Sequence, residues 1–280
     1  MNIFRLTLSI ALLALTPFSA AAIDWNSIDL DKAWEGGTKL VKGVAGISEK
    51  EEIRIGREVA ANLAARYGLV SDEKLNRYLN RVGWAAARIS ERPGLPYRFA
   101  VLKTEEVNAF AAPGGYIFVT QGLLKSLKNE AELAGVLAHE ISHVTHKHIV
   151  KAIQKSNLMG AGVDFAAAAS KNTELLDQVS DLSINMLMNG LGRKEELEAD
   201  QVGTTLSGKV GYEPAALLHV VQDIQARHAN DKTMIRFNKT HPAPEERIEV
   251  IEKTLRVLGW QTVQGPTLPE RFQTHVRQLP

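Results

Sequence analysis

The sequence predicts a mainly α-helical domain with one small β-sheet (α+β), and three observations carry that expectation. Leu, Ala, Glu and Lys are plentiful while strand-forming residues are sparse. Apolar residues recur at helical spacing through most of the chain, and a single β-rich region lies near residues 97–119. The chain has 280 residues, 45% hydrophobic and 23% charged, enough for one substantial core or two small domains.

Ile53, Val59, Ala60, Leu63 and Tyr67 fall at helical spacing and run into Gly68, a suitable C-cap. Leu75, Leu79, Val82, Ala86 and Ile89 mark a second amphipathic helix, stopped at Pro93-Gly94. Residues 97–102, 108–112 and 115–119 read as strands, with Pro113-Gly114-Gly115 turning between the last two. Asn129, followed three residues later by Glu132, has the form of a capping box and opens a long helix through about Ile153. Residues 156–192 are rich in Ala, Gly, Ser, Asn and Met with weak periodicity, which fits short helices or a flap. A helix begins near Arg193, and Pro214 and Pro244 each stand where another can start. From Gln261 the chain shows prolines and no clear period, as in an extended strap or a disordered tail.

Formal net charge is +1, and the chain shows no basic patch of the kind a nucleic-acid binder carries. With no cysteine, a disulfide framework, a Cys-type zinc finger, a thiol nucleophile and an N-terminal lipid anchor on Cys are excluded. Met1–Arg5 holds one positive charge, Leu6–Leu15 is an apolar run, and Ala20-Ala21-Ala22 offers the small residues that a signal peptidase reads. The run is far short of the ~20 residues that span a bilayer. Residues 1–22 are therefore expected to be a signal peptide and the mature chain to be periplasmic, without a transmembrane segment. The organisation that follows is a catalytic domain over 23–260 and a C-terminal tail over 261–280.

His139-Glu140-Ile141-Ser142-His143 has the pattern H-E-x-x-H. On a helix, residues four apart share a face, so both imidazoles can point at one metal. Glu140 can reach a water at that metal without being a ligand. Leu133, Leu137, Ile141 and Val144 form an apolar stripe beside the His face. Imidazole and carboxylate ligands with one open position describe catalytic zinc, one ion per chain. Glu140 then acts as general base on the attacking water and general acid to the leaving amine, work commonly worth ~10²–10⁴-fold.

A third protein ligand is needed, and Glu195, Glu196, Glu198 and Asp200 crowd one helix start. Glu196 and Asp200 are four apart and share a face, whereas Glu198 lies roughly 200° around the helix from Glu196. Two carboxylates on one face suit a ligand, Glu196, and an acceptor that orients a metal-bound His, Asp200. Glu195 and Glu198 are left to solvent or to Arg193 and Lys194.

Four motifs now stand in order: Asn108-Ala109-Phe110-Ala111-Ala112-Pro113-Gly114-Gly115, Ala138-His139-Glu140-Ile141-Ser142-His143-Val144, Glu196-Leu197-Glu198-Ala199-Asp200 and Thr240-His241-Pro242. Together they resemble the HtpX-like and CAAX-protease-like zinc metalloproteases, peptidase family M48, over roughly residues 50–258. The resemblance implies a zincin-like (gluzincin) fold and makes the glutamate of E-x-x-A-D, here Glu196, the third zinc ligand. It also brings His241 near the metal, either as a fourth ligand that swings away or as a donor to the tetrahedral oxyanion; the sequence leaves both open. Unlike two familiar branches, the chain shows neither their transmembrane helices nor a C-terminal helical-repeat domain.

Asn108, Ala109 and Phe110 read as an exposed edge strand that could bind an extended peptide by strand addition. His146 could share the metal face, but it and His148 are expected rather to support the metal histidines or lie on the helix surface, and Arg247 to orient the His241 loop or a carboxylate, or to pair at a helix surface. The implied activity is hydrolysis of internal peptide bonds in exported polypeptides, unfolded or outer-membrane proteins among them. The rival is a non-catalytic, zinc-containing chaperone-like or binding protein of the envelope, which a permanent fourth ligand at His241 would favour.

Overall fold

A computed structural model of the protein describes residues 47–156, 173–227, 241, 243–277 and 279, all within one compact unit, Ala45–Pro280. The expected signal peptide lies outside the described residues, as do 157–172 and both neighbours of His241. Helix α1 (Glu49–Tyr67) opens on a full capping box, Ser48 Oγ accepting from Glu51 N while the Glu51 carboxylate accepts from Ser48 N. Helix α2 (Glu73–Ala87) is capped by Asp72, which accepts from the amides of Lys74 and Leu75.

Strands β1 (Arg98–Leu102), β2 (Ala109–Ala112) and β3 (Tyr116–Thr120) form a sheet in the order β1-β3-β2. β1 runs parallel to β3, whereas β2 is antiparallel to it with Phe110 opposite Phe118. The turn between β2 and β3 has positive φ at Gly114 (72°) and Gly115 (95°). A Cβ at Gly114 would lie 2.6 Å from Ile53 Cα, so glycine answers both the dihedral and the contact. Buried Glu52 of α1 closes this turn, accepting from Gly114 N at 3.1 Å and from Arg92 at 2.9 Å.

Helix α3 (Gln121–Ser126) leads to the centre of the molecule, α4 (Glu130–Thr145). Asn129 Oδ1 accepts from Glu132 N at 3.0 Å, and Glu132 reaches back to Lys128 N, one residue earlier than a strict box. Every residue of α4 is buried, so the apolar stripe is one side of a helix enclosed all round. The expectation of one helix to Ile153 is corrected. The chain breaks at Lys147, whose φ is 56°, and α5 (His148–Lys155) starts afresh in a new direction.

Helix α6 (Thr173–Asn189) packs on α1 and β2. α7 (Arg193–Val210) lies along α4, and α8 (Ala216–Arg227) and α9 (Pro244–Val257) complete that side. The stretch after Gln261 is not a loose strap. It carries α10 (Pro269–Val276), which buries Phe272 and Val276 against α2 and α4. Some two turns of amphipathic helix are too short for a period to register in sequence.

Glu130 anchors that tail. Its carboxylate, buried at the first residue of α4, accepts from Tyr78 at 2.9 Å, from Tyr212 at 2.7 Å and from Arg271 of α10. Burial works against the anion, but Arg271 and the two hydroxyls hold Glu130 below the ordinary glutamate range. A carboxyl whose pKa is lowered by folding adds stability above its unfolded value, and that stability is lost as pH falls through the folded value. Glu130→Gln should therefore cost about 2 kcal/mol near neutral pH. The deficit should shrink as pH drops below the ordinary glutamate range, read from urea melts of both proteins; a pH-independent deficit would refute the assignment.

Candidate metal centre

The four-residue spacing on α4 places the Nε2 atoms of His139 and His143 3.1 Å apart. α7 brings Glu196 against them, Oε2 at 3.6 Å from His139 Nε2 and Oε1 at 3.6 Å from His143 Nε2. His241 Nδ1 stands 2.6 Å from Glu196 Oε2. His139, Glu196 and His241 each offer a ligand atom within 4.8 Å of the others, and the two distances from His143 add it to the same cluster. His139, His143 and Glu196 are buried, and His241 is largely so.

What brings α7 so close is the run Glu196, Asp200, Gly203, which repeats at four and three residues along one helix face. A Cβ at Gly203 would lie 2.8 Å from both Cα and N of His139, so the two backbones touch. Asp200 then sits beside the first histidine, Oδ1 being 3.0 Å from His139 Nδ1; the approach is close without being collinear, since that Nδ1 makes no well-aligned hydrogen bond. Arg247 of α9 holds the same carboxylate in a two-pronged pair, Nε to Oδ2 at 2.8 Å and Nη2 to Oδ1 at 2.7 Å. Removing one partner of such a buried pair typically costs about 3–5 kcal/mol, because the other charge is left unpaired.

The electrostatics divide the titratable groups. Burial opposes ionisation of Asp200, but Arg247 overcomes it and holds the carboxyl at about 2. Glu196 is likewise held well below its usual range, by His241 and His143 against its burial. His143 and His241 are themselves pushed down by burial. Burial also pulls His139 down, yet Asp200 and Glu196 outweigh it and raise it to about 9. Glu140 carries no such partner, and burial lifts it to about 7, where a carboxyl can both take and give a proton.

The donor chemistry fits a metal. Two imidazole nitrogens and a carboxylate converge from α4 and α7, and the far nitrogen of His139 faces the Asp200 carboxylate, which turns Nε2 towards the others. Glu140 stands outside the convergent set. It lines a pocket with Ala109, Phe110, His143, Leu187 and Leu191.

Several expectations are revised. β2 is an edge of the sheet, but it is not exposed: α6 packs on it, and Asn108, Ala109 and Phe110 are 0%, 9% and 2% exposed. Asn108 is locked to β3 through Thr120, and Phe110 stacks on Tyr67 at 6.3 Å. Glu198 does not face solvent alone; it approaches His148 Nε2 at 3.3 Å. Arg193 pairs with Glu246 of α9 rather than with either neighbour on α7. Of the alternatives open to Arg247, the structure shows the one in which it holds a carboxylate, that of Asp200, a choice the packing of α9 on α7 decides.

The Peptidase family M48 profile matches residues 73–255. The chain belongs to that family and carries its metallopeptidase domain. Among its relatives, the mitochondrial metalloendopeptidase OMA1 of Schizosaccharomyces pombe is 31% identical over 208 residues, covering 73% of this chain and 61% of that protein. The beta-barrel assembly-enhancing protease of Escherichia coli is 29% identical over 212 residues, 72% of this chain and 43% of its own length. The metalloprotease YcaL of the same organism is 26% identical, with 81% and 88% covered. The chain thus spans less than two thirds of the first two relatives.

The helix contact at Gly203 is directly testable. In an exposed helix Gly→Ala would add up to about 1 kcal/mol of stability. Here Gly203→Ala should lower the melting temperature and reduce bound metal, measured by calorimetry and elemental analysis; a gain in stability with full metal content would show that the helices do not touch at this point.

Proposed function

We propose that the protein is a zinc endopeptidase, with His139, His143 and Glu196 as the metal ligands and Glu140 as general base. The observation that carries this is the convergence of His139 Nε2, His143 Nε2 and Glu196, with Glu140 buried beside them and outside the ligand set. Zinc held there would polarise the scissile carbonyl and lower the pKa of a water towards ~7. Glu140, its pKa near neutrality, takes the proton of the attacking water and passes it to the departing amine. Asp200, fixed by Arg247, keeps the His139 ring turned so that Nε2 faces the ligand cluster.

The substrates we propose are polypeptides of the cell envelope, with outer-membrane proteins as the leading class. The name of the Escherichia coli relative, a beta-barrel assembly-enhancing protease, supports this class, as does the secretory pattern of residues 1–22. No helix among the described residues is long and apolar enough to cross a membrane. Ala109 and Phe110 line the pocket beside Glu140, which supports β2 as the strand a substrate lies against.

Turnover of casein separates this reading from the envelope chaperone. Glu140→Gln should lose at least ~10²-fold in rate while keeping its metal, and Glu196→Ala should lose the metal itself. Equal cleavage by wild type and Glu140→Gln would end the protease reading.

His241 supplies a second test. Its Nδ1 lies on Glu196 and within ligating reach of His139, which favours a fourth ligand over a donor waiting for substrate. His241→Ala should accordingly raise the hydrolysis rate of a short peptide at saturating zinc; a fall of ~10²-fold or more would assign it to the oxyanion instead.

A further inference from the structure

His143 is held from behind by a chain of two contacts that the metal chemistry alone does not require. Its Nδ1 lies 2.9 Å from Nδ1 of His148 at the start of α5, and Nε2 of His148 lies 3.3 Å from Oε2 of Glu198 on α7. His148 is buried, at 2% exposure. The chain exists because α4 ends early. In a continuous helix residue 148 would sit five positions beyond 143, about 140° around the axis and facing elsewhere. The left-handed Lys147, φ 56°, ends α4 and swings His148 back onto His143. For a non-glycine residue that conformation costs of order 1–2 kcal/mol, and such outliers gather at working sites.

Two neutral imidazoles meeting nitrogen to nitrogen can share only one proton, so one ring donates and the other accepts. A carboxylate only accepts. Glu198 therefore draws the proton of His148 to Nε2 and leaves Nδ1 as a lone pair. His143 must then carry its own proton on Nδ1, and its Nε2 is bare where it meets His139 Nε2 at 3.1 Å. The opposite arrangement would put a proton on His143 Nε2, between the ligand atoms. We infer that His148 and Glu198 are positioning residues that fix the ligating tautomer and ring orientation of His143, forming with it a Glu–His–His relay at the metal centre. This rests on the zinc-site reading above. It gives His143 on one side what Asp200 and Arg247 give His139 on the other, and the carboxylate of each prop, Glu198 or Asp200, stands on the helix that supplies Glu196.

The test is the zinc dissociation constant of the full chain, by chelator competition, together with the Nδ1–H resonance of His143 in ¹H–¹⁵N spectra. His148→Leu should weaken zinc about 10–100-fold and abolish the hydrogen-bonded resonance. His148→Asn, whose amide oxygen can accept near the Nδ1 position, should recover most of the affinity and the resonance. Glu198→Leu should cost about threefold, since water can reach that end of the relay. Glu196→Ala is the control: zinc bound as in wild type by that variant would overturn the metal-site reading itself. If Glu196→Ala loses zinc while His148→Leu binds it normally, the site stands and the relay is refuted. Equal loss of zinc by His148→Leu and His148→Asn, with unchanged melting temperatures in EDTA, also refutes the relay, because packing and not the accepted proton would then be at issue. Should His148→Leu fail to fold, His148→Asn decides by its resonance: its presence supports the relay and its absence overturns it.

Discussion

The contact between α4 and α7 is the constraint on which the rest depends. Two helix backbones meet where Gly203 lies over His139, without room for a Cβ. That approach sets the height of Glu196 and Asp200 above the two histidines. It also puts charged groups into a region from which water is excluded, where each must find a partner or be neutralised. Asp200 finds Arg247 and His139; Glu196 finds three imidazoles. Glu140 makes no such pair among the described residues, and burial raises its pKa to about 7.

The surroundings explain how so polar a helix can be central. α4 is enclosed on every side, so its ends must be satisfied as well as its middle. Asn129 and Glu132 close the N-terminal turn, and Glu130 gathers two tyrosines and the arginine of α10. At the other end Arg92 donates to the carbonyl of Val144 at 3.1 Å while paired to Glu52, which also closes the β2–β3 turn. The sheet, the tail and the first helix are thus tied to the two ends of the helix that carries the histidines. A helix so pinned can hold ligand atoms in place without a metal, which limits the ordering cost of binding one.

Much of this was legible in the sequence, for reasons that can be named. Helical phase alone paired His139 with His143 and Glu196 with Asp200, because residues four apart on a helix must share a face. Turn chemistry located the β2–β3 turn, and the short strands followed. What escaped were features that depend on direction in space. No residue near His146 announces a break, since Lys147 adopts its left-handed turn without being glycine. The burial of β2 depends on α6, and the docking of the tail on Glu130, partners distant along the chain.

The sequence by itself determined which side chains are of a type to bind a metal or move a proton, and which helices carry them. Those follow from residue type and from a fixed helical repeat. Only the tertiary structure decided who orients whom. Arg247 reaches Asp200 across 47 residues, and His148 turns towards His143 because one helix stops and another begins. Such choices are made by helix crossings and chain reversals, whose geometry no local spacing encodes.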